Sequence, residues 1–235
     1  MTKLPIERLE AISSQVRRDI LRMVHQVQSG HPGGSLGCAD LLVALYFEIM
    51  EHDPSKSVQK DHFFLSNGHI SPVFYSVLAR SGYFGIDELS TFRKINSRLQ
   101  GHPTTHEGLP GVNIASGSLG QGLSASIGTA LSKSMNGETG KVFCLMGDGE
   151  LQEGQVWEAA MFAPANKVKN LIAIVDVNGQ QIDGPTDEVL PLLDLSKKFE
   201  SFGWNVIQLE NGNTIQDLID SLRKASTLST EGPVI

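Results

Sequence analysis

The sequence is poor in cysteine and in basic residues, and each shortage excludes a class of protein. Only 2 of its 235 residues are cysteines, Cys38 and Cys144, and neither belongs to a CxxC motif. A disulfide framework is therefore excluded. Small or apolar neighbours predict that both are buried free thiols. With 19 basic and 26 acidic residues, the net charge of −7 argues against nucleic acid as a partner.

Long apolar runs are also missing. No stretch is long enough to span a bilayer, and the N-terminal residues lack the apolar segment of a secretion signal. These features predict a cytoplasmic protein that has no membrane partner. No linker rich in Pro, Ser or Gly divides the chain, so we expect one domain over residues 1–235. Residues 232–235 resemble the start of another strand, and we expect the natural domain to continue beyond them.

The spacing of apolar residues predicts an alternation of helices and strands. Helices are expected over residues 5–28, 39–50, 70–81, 122–133, 153–168, 195–202 and 215–228, and strands over 62–66, 142–146, 171–175 and 205–209. Residues 29–35 combine a proline with three glycines and should break helical structure, while residues 95–120 should form mostly a loop. The alternation predicts an α/β fold with a mainly parallel sheet and helices on both faces.

One predicted strand–helix–strand segment carries the strongest functional signal. Its first strand leads into Gly147-Asp148-Gly149, and its second strand is followed by Asn178, thirty residues after Asp148. Neighbouring parallel strands end at the same sheet edge, so Asp148 and Asn178 should lie side by side where open α/β sheets bind ligands. Their carboxylate and amide oxygens suit Mg²⁺. The flanking glycines allow a diphosphate to approach the backbone at a helix N-terminus.

The Gly-Asp-Gly followed by Asn resembles the thiamine diphosphate signature, and three further regions resemble the cofactor-binding domain of transketolases in the same order. These regions are Ser29-Gly30-His31-Pro32-Gly33, Leu65-Ser66-Asn67-Gly68-His69, and Gly101-His102-Pro103 with Gly117-Ser118-Leu119-Gly120-Gln121-Gly122. The resemblance covers nearly the whole chain. It implies a thiamine-diphosphate-binding fold in which residues 1–235 form the diphosphate-binding domain.

The resemblance also implies a role for each matching residue. A divalent cation, Mg²⁺ or alternatively Ca²⁺ or Mn²⁺, would be held by Asp148, Asn178 and the backbone carbonyl of Gln180. His31 would act as a proton donor or acceptor near the reacting carbonyl, and His102 would contact hydroxyls of the donor ketose. The residues implied to bind thiamine diphosphate are His69, Gly117, Leu119, Gly147, Asp148, Gly149 and Asn178.

Full transketolases have two further domains, one of which binds the aminopyrimidine and supplies a glutamate that activates the cofactor. The resemblance therefore implies the N-terminal subunit of a split transketolase. Its partner would be a C-terminal subunit that carries the pyrimidine-binding domain, in an α₂β₂ assembly. Ser118 fits this interpretation, because split subunits often carry Ser where many full-length enzymes have Pro. Glu153 and Glu158 match family acids near the dimer interface, whereas Glu150 is expected only to place a favourable charge at a helix N-terminus.

The expected activity is the transfer of a two-carbon ketol unit from a ketose phosphate to an aldose or its phosphate, as in the pentose phosphate pathway. Two alternatives stay open: a transketolase-like enzyme for an unusual sugar in a catabolic pathway, and a non-catalytic module that binds thiamine diphosphate. A dinucleotide-binding dehydrogenase is a weaker hypothesis, because the Gly-Asp-Gly lacks the third glycine of GxGxxG. His25, His52, His62 and His106 match no motif and are expected to be structural or surface residues.

Overall fold

The chain divides into two structural units, each assembled from separate stretches of sequence. The computed structural model describes residues 4–56 and 58–235. The first unit, here called the helical unit, comprises the chain up to Gln59 together with Gly68–Gly117 and Leu209–Leu222; the second, the sheet unit, comprises Lys60–Asn67, Ser118–Gln208 and Arg223–Ile235. Because these stretches alternate along the sequence, the units are not two successive domains.

The helical unit is built around α1 (Ile6–Val27), which packs against α3 (Ala39–Ala44) and α4 (Ser71–Arg80). The buried positions of α1 recur every three to four residues and so define one face of the helix. The helix ends at Gln28, which adopts the left-handed conformation common at helix C-termini. The predicted helix over residues 5–28 is thus confirmed.

Two buried aspartates tie α1 to the neighbouring helices. Asp40 of α3 accepts two hydrogen bonds from the guanidinium of Arg17, at 2.6 and 3.0 Å. Asp19 of α1 accepts hydrogen bonds from Arg80 at 2.6 Å and from Ser76 at 2.8 Å, both in α4. Buried charges persist in proteins when they are paired and hydrogen-bonded, so these contacts fix how the helices pack.

The structure changes two predictions in the helical unit. Residues 29–35 are predicted to break helical structure, but Pro32–Gly37 forms a short helix, α2, because proline suits the first helical position. The helix predicted over residues 39–50 begins as α3 and continues as a π-helical turn, Leu45–Ile49. The helix predicted over residues 70–81 is confirmed as α4.

Residues 95–120 form mostly irregular structure, as the sequence predicts. The first part of this region is nevertheless fixed by two side chains of α4. The hydroxyl of Ser71 donates to the carbonyl of Gly101 at 2.7 Å, and the hydroxyl of Tyr75 donates to the carbonyl of Gln100 at 2.8 Å. Since Ser71 and Tyr75 are four residues apart, they lie on the same face of the helix and hold adjacent loop residues.

The sheet unit contains a three-stranded parallel sheet in the order β1 (His62–Leu65), β2 (Val142–Gly147) and β3 (Leu171–Asp176). The central strand β2 is buried along almost its whole length. Helix α5 (Gln121–Met135) packs on the sheet, and α6 (Gly154–Ala165), which connects β2 to β3, packs on α5. The predicted strand–helix–strand unit is confirmed, because β2 and β3 are parallel neighbours.

Short elements complete the sheet unit. They are the antiparallel pair β4 (Gln180–Gln181) and β5 (Gly184–Pro185), then α7 (Thr186–Val189) and α8 (Leu195–Phe202). The last helix of the chain is α9 (Ile215–Leu228), with the bounds that the sequence predicts. The predicted α/β class with a mainly parallel sheet is confirmed.

The strand predicted over residues 205–209 is wrong as a regular strand. Asn205 pairs with Val234 only through an isolated bridge, because the backbone hydrogen bonds of this segment reach only residues 233–235. Val234 also bridges Ile172 of β3 in parallel orientation. The terminal segment therefore does lie alongside the sheet, as its apolar character predicts.

Both cysteines lie in the interior. Cys38 and Cys144 are buried thiols outside any disulfide, as predicted. Among the helices of residues 4–56 and 58–235, none combines the length and the apolar character that a membrane crossing requires.

Candidate functional site

Asp148 stands at the edge of the sheet unit where β2 and β3 end side by side. Its carboxylate is buried, and both oxygens accept backbone hydrogen bonds: Oδ1 from Gly149 at 2.9 Å and Oδ2 from Gly179 at 2.8 Å. Gly179 has a φ of 72°, a left-handed conformation that glycine adopts without steric cost. Burial raises the pKa of the Asp148 carboxyl, and the two hydrogen bonds oppose that rise. The turn thus presents a fixed acidic group at the sheet edge.

The loop after β3 carries the other two predicted metal ligands. The side-chain oxygen of Asn178 accepts the N–H of Gln180 at 2.9 Å, and its amide nitrogen donates to Asp176 at 3.0 Å. The carbonyl of Gln180 faces Gly149, since a Cβ added to Gly149 would stand 3.5 Å from that oxygen. The same Cβ would stand only 2.7 Å from the Cβ of Gln181. The close approach of this loop therefore requires the second glycine of the Gly-Asp-Gly.

The donors that these segments offer are hard oxygens: a carboxylate, an amide oxygen and a backbone carbonyl. The amide oxygen of Asn178 has two lone pairs, so one stays available beside the hydrogen bond from Gln180. In the described part of the chain, no group of three His, Cys, Asp or Glu side chains is arranged to hold a metal. The predicted set is of another kind, because Asp148 is its only ionisable member. Its assignment as a metal site stays a prediction.

Glu150 has a larger role than the helix-terminal charge predicted for it. Its buried carboxylate accepts hydrogen bonds from the hydroxyl of Ser66, from the N–H of Gly120 at 2.7 Å and from the N–H of Gly147 at 3.4 Å. The oxygen of Ser66 in turn accepts the N–H of Gly122 at 2.9 Å. Burial raises the pKa of Glu150, and the three hydrogen bonds oppose the rise. One carboxylate thus joins the ends of β1 and β2 to the segment that opens α5.

Asn67 follows β1 in the same way that Asp148 follows β2. It is buried, and its side-chain oxygen has no hydrogen-bond partner among the residues that the structure describes. Its amide nitrogen would lie 3.7 Å from a Cβ added to Gly147. Leaving a buried amide oxygen unpaired costs about 1–3 kcal/mol, so such an atom marks a place that a ligand can complete. Sequence reasoning missed Asn67, although its position directly after a buried strand was a usable signal.

The helical unit brings three of the predicted histidines together. His31 precedes α2, His69 lies in the 3₁₀ turn before α4, and His102 lies in the loop that α4 holds. The rings of His31 and His69 meet edge to face, with centroids 5.1 Å apart. His102 lies near enough to both rings for their charges to influence one another. Histidines from three separate segments of the sequence therefore share one site.

Burial and neighbouring charges keep two of these side chains neutral. Burial, followed by the charges of His31 and His102, lowers the pKa of His69 to about 4. Burial, followed by the charges of Arg93 and His31, also lowers the pKa of His102. A neutral imidazole offers one donor and one acceptor nitrogen, and it can exchange a proton with a bound molecule.

The glycines of the helical unit differ in whether their surroundings leave room for a side chain. A Cβ added to Gly68 would stand 2.1 Å from the carbonyl oxygen of Ser116, so the backbone approach beside His69 requires glycine. A Cβ added to Gly117 would meet no atom within 4 Å, and Gly117 is exposed. The predicted contact of Gly117 with the cofactor rings therefore stays a prediction, as does that of Leu119, which is half-buried in the sheet unit.

The other residues singled out from the sequence lie at the surface or in structural contacts. Ser118, Glu153 and Glu158 are exposed, and their predicted relation to a partner chain stays a prediction. His52, which matches no motif, is buried and bonds through its two ring nitrogens to Tyr46 and Tyr83. That contact is the structural role expected of it.

Comparisons of the whole chain with known proteins point to one family. The family model described as transketolase, thiamine diphosphate binding domain, matches residues 9–235. A subunit of apulose-4-phosphate transketolase from Phocaeicola vulgatus is 37% identical over 222 residues, covering 94% of this chain and 78% of that protein. The 6-deoxy-6-sulfo-D-fructose transketolase subunit SqwG of a Clostridium species is 38% identical over 219 residues, covering 92% and 79%.

Full-length transketolases match over a smaller share of their own length. Human transketolase is 35% identical over 226 residues, which are 94% of this chain and 35% of the human protein. The crystal structure of transketolase from Campylobacter jejuni matches with a TM-score of 0.90 at 31% identity, covering 99% of this chain and 38% of that one. The chain thus spans a little over a third of those enzymes, but most of the proteins named as subunits.

Proposed function

Because the chain belongs to the transketolase family, as its thiamine diphosphate binding domain, we propose that it is the N-terminal subunit of a split transketolase. In this proposal it transfers a two-carbon ketol unit from a ketose phosphate to an aldose or its phosphate, and it does so only with a C-terminal subunit. Residues 1–235 serve as the diphosphate-binding domain, and the working assembly is α₂β₂.

One observation carries the proposal, namely the extent of the match. The chain covers 78% and 79% of two proteins that are named as transketolase subunits, but only 35% of human transketolase. The matched region therefore makes up more than three quarters of each protein named as a subunit. The pyrimidine-binding domain that the resemblance implies for full-length enzymes would then be carried by a separate chain.

The sheet unit supports a role in holding a magnesium–diphosphate group. Asp148 is a buried acid whose charge needs compensation, and a divalent cation would supply it. Asn178 and the carbonyl of Gln180 offer two further oxygens, and the glycine at position 149 leaves the loop room to approach. The unpaired oxygen of Asn67 fits a bound water or cation nearby. When bound, thiamine diphosphate would supply the carbon nucleophile that ketol transfer requires.

The helical unit supports proton exchange and sugar recognition. A neutral His69 can donate one hydrogen bond to a diphosphate oxygen without adding a net charge. His31, packed edge to face against His69, is proposed to exchange a proton with the sugar oxygen at the reacting carbon. His102, also held neutral, is proposed to bind donor hydroxyls.

The sugar itself gives a second candidate. One relative is named for apulose-4-phosphate and another for 6-deoxy-6-sulfo-D-fructose, so relatives with this extent of similarity are named for sugars outside the pentose phosphate set. We therefore propose, as the alternative, an enzyme for an unusual sugar in a catabolic pathway.

A co-purification experiment tests the proposal. The chain, tagged at its N-terminus and expressed in its native source, is purified with thiamine diphosphate and Mg²⁺, and the complex is weighed by native mass spectrometry. We expect a second subunit in equal amount and ketol transfer between sugars of a ketose and aldose panel that includes both unusual sugars. A chain that emerges alone, or a complex that leaves every ketose intact, would overturn the proposal.

A further inference from the structure

Arg93 of the helical unit has an unusual backbone. Its φ is 56°, in the left-handed region that costs a residue with a side chain about 1 kcal/mol or more. The turn is closed by a hydrogen bond from the N–H of Arg93 to the carbonyl of Leu99 at 2.9 Å. Phe92 and Leu99 both belong to one buried apolar cluster. The core therefore holds the backbone of Arg93 in place from both ends of the turn.

The side chain of Arg93 contacts two segments that carry functional histidines. On one side, Nη1 donates to the hydroxyl of Ser29 at 3.1 Å, two residues before His31. On the other side, the guanidinium lies against the bare backbone of Gly101, directly before His102. A Cβ added to Gly101 would stand 2.5 Å from Cζ, 2.7 Å from Nη2 and 2.8 Å from Nε of the arginine. One planar group thus spans the interval between the two segments.

The contacts leave part of the guanidinium unsatisfied. The Nε of Arg93 is buried and has no hydrogen-bond partner within residues 4–56 and 58–235. The charge lies over the ring of Phe92, 5.5 Å from its centroid, which offers only a weak attraction. Burying an unpaired donor is costly, so stability alone does not explain an arginine at this position.

We propose that Arg93 is a positioning residue for the ketol-transfer site. Through its contacts with Ser29 and Gly101, Arg93 holds the segments of His31 and His102 at a fixed separation. This inference rests on the function proposed above. Arginine suits the task better than lysine, because its planar fork can bond to Ser29 with one nitrogen while its face packs on Gly101.

The charge of Arg93 has a second effect on the site. The titratable or charged groups that act on His102 are Arg93 and His31, and His102 in turn acts on His69. The guanidinium of Arg93 is a positive charge. It therefore lowers the pKa of His102 in addition to burial, and it keeps that imidazole neutral and able to accept a hydrogen bond from a sugar hydroxyl.

Three variants test the proposal. Arg93→Met keeps the length without the charge, Arg93→Lys keeps the charge without the fork, and Arg18→Met removes an exposed arginine of α1 as a matched control. The first readout is an NMR titration of the His102 imidazole in the full chain, which needs no activity. The second is kcat and KM of the complex with its partner subunit.

We expect Arg93→Met to raise the pKa of His102 and to lower kcat/KM by about 10- to 100-fold, the usual cost of small misplacement. Arg93→Lys should keep the low pKa but lose part of kcat/KM, and Arg18→Met should change neither. A His102 titration and a kcat/KM that both stay at wild-type values in Arg93→Met would overturn the proposal. A complex without ketol transfer would refute the proposed function, while the titration would still decide the role of Arg93.

A fourth variant, Gly101→Ala, decides the case in which Arg93→Met does not fold. Gly101→Ala leaves Arg93 intact but places a methyl group where its guanidinium lies, so the side chain must withdraw. We expect the same upward shift in the His102 titration and the same direction of change in kcat/KM. An unchanged titration and unchanged kinetics in folded Gly101→Ala would overturn the proposal.

Discussion

The two units hold their candidate functional side chains by different means. In the sheet unit, Asp148 follows a buried strand, and each of its oxygens is fixed by a backbone N–H. In the helical unit, His31 and His102 lie in short or irregular segments, and His102 owes its place to hydrogen bonds from α4 to the preceding residues. Strand pairing therefore dictates the first site, whereas side-chain contacts between distant segments dictate the second.

A single sequence reveals a site of the first kind more readily than a site of the second kind. A residue that follows a buried strand is located by the strand itself, because parallel neighbours end at one edge. A residue in a loop is held in place by contacts that produce no periodic pattern in the sequence. We expect substitutions in the two units to fail in different ways, and the following predictions test that contrast.

The largest effect is expected from His31→Ala in the helical unit. If His31 exchanges protons with the substrate as proposed, its loss should lower kcat by about 100- to 10,000-fold while the chain stays folded. Steady-state kinetics of the complex with its partner subunit measure this. His106→Ala, an exposed histidine in the same unit, is the matched control and should keep full activity. Unchanged turnover in His31→Ala would remove His31 from the mechanism.

In the sheet unit, Glu150→Ala should act on stability. The substitution leaves Gly120, Gly147 and Ser66 without their shared acceptor, and we expect a loss of about 3 kcal/mol in the free energy of unfolding. Glu150→Gln should cost less, because its amide oxygen can still accept. Urea unfolding of the full chain measures both, with exposed Glu188→Ala as the control. A Glu150→Ala chain as stable as the control would contradict the role assigned to this carboxylate.

Two glycine substitutions separate packing from ligand contact. Gly122→Ala places a Cβ 2.3 Å from the Cβ of Ser66, and we expect a net loss of about 1–2 kcal/mol in stability. Gly117→Ala meets open space and should leave stability unchanged, but it should weaken thiamine diphosphate binding about tenfold by a steric clash. Calorimetric unfolding and titration measure the two effects. If Gly117→Ala binds the cofactor normally, its predicted contact with the rings is wrong.

The smallest effect concerns the pH dependence of stability. The pKa of His69 is about 4 in the folded chain, below the ordinary value of 6.5, so the unfolded chain binds its proton first as pH falls. Stability should therefore decline as pH falls from about 6.5 to about 4. His69→Gln should make that decline shallower, as measured by unfolding at a series of pH values. The slope should not change in His106→Gln, and an equal slope in His69→Gln would contradict the burial of a neutral His69.

Much of the sheet unit could be predicted from sequence alone. Apolar runs located all three strands of the sheet, and the spacing between Asp148 and Asn178 predicted that their segments meet. The prediction of a strand over residues 205–209 was wrong, because apolar alternation does not reveal how many residues of a neighbouring strand a segment will pair with. The structural role of Glu150 could not be predicted, because its three hydrogen-bond donors come from segments that only the folded chain brings together.

The candidate site of the helical unit could be predicted mainly from the resemblance to a known family. Nothing in the composition of residues 29–35 or 95–120 shows that His31, His69 and His102 converge; family motifs suggested it, and the contacts of the folded chain show it. The position of Arg93 could not be predicted, because a positive φ at an arginine has no sequence signature. Loop-borne sites depend on long-range contacts, and these are what local sequence patterns leave out.

Asp148 is proposed to anchor a magnesium-dependent thiamine diphosphate site. The most direct test is isothermal titration of the purified complex with thiamine diphosphate, with and without Mg²⁺, for wild type, Asp148→Asn and the exposed control Asp183→Asn. We predict that thiamine diphosphate binding depends on Mg²⁺ and that Asp148→Asn weakens it by about 100-fold or more. Loss of even an outer partner of a metal ligand lowers metal affinity by about 10- to 100-fold, so loss of a ligand should cost at least as much. Asp183→Asn should bind as tightly as wild type. Thiamine diphosphate binding that does not depend on Mg²⁺, or that is unchanged in Asp148→Asn, would contradict this role of Asp148.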